Sequence, residues 1–402
     1  MYDCIIVGGG ISGVSFAHYL RKEGKSVLII ERESQLGGRI RTAVYPEAQG
    51  FWAELGAHTC YNSYTELIKL VQDSGHQDKF VTLASLSYML YNKKKIKSVF
   101  SEISFLSMAF QFWKFFSNKK EGKTTREYFL PIVGRGNYDR LFSKLFRAVI
   151  SQEADDYPAE IFLKKRVGKN ENISRRFSYE GGFSQMIHDV AMASGSEIHT
   201  SDEVTGILKD KEGFFEVKTR RGEAFRAAHV ALASEVNLAA ELLAGILSVH
   251  AIGALSAVKM SKSVSINLLI EKHKLKVKKM AGIIPLTNDF FSAVSRDTID
   301  DETWRSFSFH FPESKIPSVE RLETMFRILD IHDDKFFKTE IYRHQLPSMR
   351  LSDLRLGERL SSELHDSGVF LLGNYFEGMS LEDCVRRSKT EAERYFEEEK
   401  KQ

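Results

Sequence analysis

Cysteine is scarce in this sequence. Cys4, Cys60 and Cys384 are the only three among 402 residues, and no two form a CxxC pair. That spacing suggests neither a disulfide framework nor a metal site, and it fits a reducing compartment. Long apolar runs are missing too. No uncharged apolar stretch reaches the roughly 18 residues that a membrane-spanning helix needs. Charge of one sign is not in excess: the formal net charge is +3, too small to argue for nucleic acid. No zinc-ligand spacing or nucleic-acid motif is present. Tyr2–Val7 already reads as a strand, which leaves no room for a cleaved signal peptide. A cytoplasmic location is the expectation.

What is present describes a globular chain. The apolar fraction is 43%, enough for a sizeable core, and the length suits two or three domains. Tyr2–Val7 is followed by glycines, a helical pattern from Ile11 to about Glu23, and a second strand, Ser26–Ile30, ending at Glu31. This β-loop-α-β order belongs in a parallel sheet. Helical spacing recurs at Ser63–Ser74, Tyr138–Val149 and Phe183–Ser194, and Lys164–Arg176 reads as a surface loop. Ser87–Tyr91 and Lys95–Ser98 read as a hairpin; Val204–Leu208, Phe214–Thr219, Ala224–Ala233 and Ser263–Glu271 read as strands. A last strand, Val369–Leu372, leads through Gly373 to a helix from about Ser380.

Gly8, Gly10 and Gly13 form GxGxxG between a strand and a helix, the setting in which this motif carries information. Gly8 permits the tight turn, Gly10 lets backbone approach a pyrophosphate, and Gly13 lets the helix lie on the sheet. The helix start at Ile11 and Ser12 then offers free N–H groups to phosphate. Glu31 lies 18 residues after Gly13, where a carboxylate accepts from ribose hydroxyls and repels a 2′-phosphate. Arg32 follows it at the same strand end.

The stretch from Asp3 to Thr42, ending in Gly37-Gly38-Arg39-Ile40-Arg41-Thr42, resembles the flavin-containing amine oxidase superfamily. The resemblance implies FAD, with Gly38 and Arg39 crossing its pyrophosphate. It places Gly56, Ala57 and His58 beside the isoalloxazine ring and the Val204 backbone at the adenine. It aims the helix that begins near Ser380 at the flavin's pyrimidine edge, with Gly373, Asn374, Met379, Ser380 and Leu381 as cofactor contacts around its start. That helix serves the edge opposite the ring's methyl groups, so Cys384 is expected to be a packing residue and FAD to be non-covalent. His58 and Lys262 are weak catalytic candidates. No Ser-His-Asp or paired-carboxylate site is required, because the cofactor carries the chemistry.

Asn374, Gly378 and Leu381-Glu382-Asp383-Cys384, with Tyr342–Pro347 and Tyr179–Gly182, are most similar to protoporphyrinogen oxidases within the superfamily. The resemblance implies hydride removal from a substrate C–H to flavin N5, with protoporphyrinogen IX as the leading substrate. Oxygen or another acceptor would reoxidise the flavin. Arg135, Arg175 and Arg343 are candidates for its propionates. An amine oxidase, a polyene desaturase, an FAD-dependent sugar mutase and a non-catalytic flavin-binding paralogue are the alternatives.

The expected fold is α/β, with a discontinuous Rossmann-like FAD-binding domain (1–75, 179–240 and 351–402). A mixed-sheet substrate domain (76–98 and 241–350) and a helical insertion (99–178) complete it. Val99–Phe116 has one narrow polar stripe and a wide apolar face when wound as a helix. It reads as a membrane-surface helix, as the wall of an apolar or macrocyclic substrate pocket, or as a buried helix. Oligomeric state is not legible.

Overall fold

The computed structural model describes residues 1–105, 118–313, 318–332 and 336–401. Its first sheet runs Glu197–His199, β2 (Val27–Ile30), β1 (Tyr2–Val7), Ala224–Leu232, Phe215–Thr219, Val204–Lys209. Val369–Leu371 also pairs, in parallel, with the last residues of Ala224–Leu232. The pairs around β1 and β2 are parallel, and the three strands between 204 and 232 form an antiparallel meander. The sheet is thus assembled from three stretches that are distant in sequence.

Alternation along each strand splits the core into two halves. Cys4 and Ile6 of β1 face one cluster, with Phe16 of helix α1 (Ile11–Lys22), Met186 of helix Phe183–Ser194 and Val385 of helix Leu381–Glu399. Ile5 and Val7 face the other, with Ile132, Phe146, Ala239 and Leu360. Helices therefore cover both faces, which is why the strands are apolar on both sides.

The second sheet runs Phe336–Pro347, Met260–Glu271, Trp304–Pro312, Ser292–Ser295, Gly282–Pro285, Tyr88–Asn92, Lys95–Ser98. Only Gly282–Pro285 with Tyr88–Asn92 is parallel, so the sheet is mixed, as expected. The expected hairpin closes through Lys93 and Lys94, both in the left-handed region. In Trp304–Pro312, Phe307, Phe309 and Phe311 point into the apolar cluster with Val264 and Ile266.

Two readings need correction. Val99–Phe116 does not begin as one continuous helix: Val99–Glu102 is a single 3₁₀ turn and Ile103-Ser104 lie outside any helix. The turn is started by the Ser98 hydroxyl, which accepts from Phe100 N–H at 3.3 Å. Residues 106–117, which carry most of that segment's aromatics, lie outside the described residues. Lys164–Arg176 is not merely a surface loop, because Lys164 and Arg166 reach into the site described next. No helix among the described residues is long and apolar enough to cross a membrane.

Candidate functional site

A cavity of about 960 Å³ opens at the carboxyl ends of the parallel strands, where open α/β sheets bind ligands. Val7, Ile30, Ala233 and Gly373 mark those strand ends on its wall. Gly8, Gly10, Ile11 and Ser12 line it, as do Glu31, Arg32, Gly38 and Arg39. Gly56, Ala57, His58, Val204, Asn374, Met379, Ser380 and Leu381 line it too. The structure therefore brings together the expected cofactor residues, except that Gly13 sits behind the turn.

The geometry at Gly13 explains that exception. A Cβ there would lie 2.0 Å from the Gly8 carbonyl oxygen and 3.2 Å from Ala233 Cβ. Gly13 therefore serves helix packing. Gly10 is different: a Cβ would find no neighbour nearer than 3.8 Å, so its bare face is open to a ligand. Gly10 also caps α1 without any side-chain hydrogen bond, leaving the first-turn N–H groups for an anion. Glu31 is buried and accepts from Gly9 N–H at 2.7 Å and Glu33 N–H at 2.9 Å. These bonds hold its carboxylate at the mouth of the turn.

Arg39 forms an ion pair with Glu235, which also meets Arg32 at 3.3 Å. Two cations and a carboxylate thus gather where a pyrophosphate would cross. Helix Leu381–Glu399, whose start lines the cavity, begins with a capping box in which Ser380 and Asp383 exchange hydrogen bonds. Arg166 binds both, at 2.8 Å to Ser380 Oγ and 2.9 Å to Asp383 Oδ1. Lys164 lies 3.5 Å from the same carboxylate. Asp202 Oδ2 and Tyr375 Oη are buried without hydrogen-bond partners among the described residues, and both residues line the cavity. An open glycine cradle, free helix N–H groups and unpartnered polar atoms fit a dinucleotide such as FAD.

The other end of the cavity has different chemistry. Its walls come from the second sheet, including Tyr88, Ile284, Val294, His310 and His344, and from Leu145, Ala148 and Val149 of helix Ser143–Ile150. None of the residues that these elements contribute to the wall is Asp, Glu, Lys or Arg. Three histidines sit here. His58 Nδ1 lies 3.3 Å from Gly56 O, and its Nε2 lies 3.0 Å from Tyr88 Oη. His310 Nδ1 meets Ser265 Oγ at 2.7 Å, and His344 Nε2 meets Leu55 O at 2.8 Å. Burial holds His58 below the ordinary imidazole value. Burial and the neighbouring imidazoles push His310 down to about 3. Burial, with Arg39 and Arg41 nearby, takes His344 to about 4. All three rings are neutral at pH 7.

Several sequence candidates fall outside this site. Lys262 is exposed and does not line the cavity; adjacent strand residues point to opposite faces, and its neighbour Ser263 takes the inward position. Arg135 and Arg175 are exposed, and Arg343 points outward to Glu313 at 3.6 Å. None of the three lines the cavity. Cys384 does line it, and burial raises its thiol to about 12.

Sequence reasoning missed Lys164, Arg166, Glu235 and His310. For His310 a signal existed: in Ser306–Phe311, Phe alternates with Ser, Ser and His, which marks a strand with a polar inner face. Nothing local marks the other three.

The model of the flavin containing amine oxidoreductase family matches residues 11–394. The chain is 27% identical over 100 residues to 15-cis-phytoene desaturase of Synechococcus elongatus, covering 25% of this chain and 20% of that protein. It is 24% identical over 267 residues to a flavin-containing amine oxidase of Danio rerio, covering 58% of this chain and 50% of that one. Among solved structures, a candidate protoporphyrinogen oxidase from Exiguobacterium sp. 255-15 superposes with a TM-score of 0.79 at 17% identity. That superposition covers 97% of each chain, and at such identity it speaks for the fold alone. Family match, fold and cavity agree: the chain belongs to the flavin-containing amine oxidoreductase family.

Proposed function

We propose that the chain binds FAD non-covalently and takes hydride from a C–H bond of a large apolar substrate, with protoporphyrinogen IX as the first to test. The observation that carries this reading is one cavity with a glycine-and-helix-start region suited to a dinucleotide and, elsewhere, described walls that are uncharged and largely apolar. Bound FAD would supply a two-electron acceptor at flavin N5. The chain's own residues do the rest. Gly8, Gly10 and the start of α1 receive the pyrophosphate, and Arg39 neutralises it. The Gly56-Ala57 turn lets backbone approach the ring. Leu145, Val149, Ile284 and Val294 exclude water from the substrate end. Cys384, held as a neutral thiol, is a poor nucleophile, which supports non-covalent binding.

The uncharged end also separates the alternatives. A charged group there would be desolvated without an ionic partner among the described residues of these walls, which disfavours a nucleotide sugar with its diphosphate. It equally requires that the two propionates of a tetrapyrrole lie at the mouth rather than in the pocket. A polyene desaturase is the second reading, favoured by that same lack of charge.

The test is the visible spectrum of FAD-loaded protein mixed anaerobically with protoporphyrinogen IX or with phytoene. Flavin bands that bleach while porphyrin absorbance grows support the first substrate. Bleaching with phytoene alone moves the assignment to polyenes. Bands that persist with both refute the apolar-substrate reading.

A further inference from the structure

His344 stands opposite Ser263 where strand Phe336–Pro347 pairs with Met260–Glu271. Its Nε2 lies 2.8 Å from the Leu55 carbonyl oxygen. A carbonyl can only accept, so the hydrogen is on Nε2. The ring is neutral, so Nδ1 carries a lone pair. That atom has no hydrogen-bond partner among the described residues, and His344 lines the cavity. The ring rests against the flavin-side turn: its Cε1 is 3.3 Å from where a Cβ on Gly56 would be.

Several neighbouring polar atoms are already engaged. His58 Nδ1–H donates to Gly56 O, so its Nε2 accepts from Tyr88 Oη. Tyr342 sets its ring edge-on to His344 at 4.8 Å and donates to Gly38 O at 3.0 Å. His310 Nδ1 is occupied by Ser265 Oγ, and its Nε2 has no side-chain partner among the described residues. His344 Nδ1 is left as an acceptor on a largely apolar stretch of the cavity wall, and a ligand that displaces water there loses affinity unless it supplies a donor. A hydrocarbon offers no donor. A pyrrole-type N–H does.

We propose that His344 Nδ1 accepts a hydrogen bond from an N–H or O–H group beside the C–H bond that is oxidised, so that the substrate is an apolar N–H or O–H donor rather than a pure hydrocarbon. This rests on the flavin-oxidoreductase reading and narrows its substrate. It makes His344 the residue that orients the substrate and distinguishes it from an analogue lacking the donor.

The test uses two probes, indole and 1-methylindole, titrated into the FAD-loaded protein. Flavin band shifts are read, together with the ¹⁵N resonances of labelled histidine. Indole is expected to half-saturate at about tenfold lower concentration than 1-methylindole, the ratio one hydrogen bond gives. His344→Phe should bring the two probes together, while His344→Gln, which keeps a donor and an acceptor, restores part of the ratio. In the wild type, the His344 Nδ1 resonance should be that of an unprotonated nitrogen and should move with indole only. Equal responses to both probes, or no response to either, overturn the proposal. Flavin bands retained in that case leave the oxidoreductase reading standing. A chain that holds no flavin fails that reading instead, and the nitrogen resonances still decide this one.

Discussion

Gly10 and Gly13 lie three residues apart and do different work. At Gly10 an added methyl would meet nothing nearer than 3.8 Å, whereas at Gly13 it would meet the Gly8 carbonyl at 2.0 Å. Gly10→Ala should therefore leave the unfolding temperature of the apoprotein unchanged and weaken FAD binding. Gly13→Ala should destabilise the chain by about 1–3 kcal/mol as well. Calorimetry with and without FAD separates the two. The buried histidines give a pH dependence. His344 and His310 have folded values near 4 and 3, below the ordinary 6.5. The unfolded chain then binds more protons, so stability falls as pH drops below about 6.5, by about 1.4 kcal/mol per pH unit for each ring until its folded value is reached. Urea midpoints of wild type and His344→Phe between pH 7 and 4, at fixed FAD, should diverge in slope. A parallel pair of curves would contradict this. The glycines and Glu31 were legible in the sequence because turn chemistry is local. The use of His344 was not, because it depends on Leu55, a partner 289 residues away.

Helix Leu381–Glu399 is held at its start by charges from the loop before it in the fold, not in the sequence. Asp383 is buried, and Arg166 and Lys164 are its cationic partners. Arg166→Ala should cost about 3 kcal/mol, because a buried carboxylate loses its better partner while Lys164 remains. Ser380→Ala removes the cap and should cost about 1 kcal/mol. Denaturant unfolding measures both. Helix Phe183–Ser194 was legible to the residue, since Gly182 and Gly195 bracket it in the left-handed region. Strands Gly282–Pro285, Ser292–Ser295, Trp304–Pro312 and Phe336–Pro347 went unread. In the first two every residue is buried, so the alternation that betrays a half-exposed strand is weak.

At the scale of the molecule, the first sheet joins β1 and β2 to strands from 197–232 and 369–371. The cavity touches all three stretches, so FAD should clasp them together. Saturating FAD at about 100 times its Kd should add about 2.7 kcal/mol to stability. Its removal should expose the cavity-lining segments to protease before the rest of the sheet. The α/β architecture was legible because two ends of the chain carry matching strand–glycine–helix joints. The stretch of cavity whose described walls carry no charge was not, because it forms only when the second sheet meets helix Ser143–Ile150.

The most direct test of the central claim is the visible spectrum of wild type and Gly10→Ala after incubation with FAD, desalting and acid precipitation. The account predicts flavin bands in desalted wild type, their release into the acid supernatant, and little flavin retained by Gly10→Ala. Wild type that emerges colourless, or Gly10→Ala that retains flavin equally well, would contradict it.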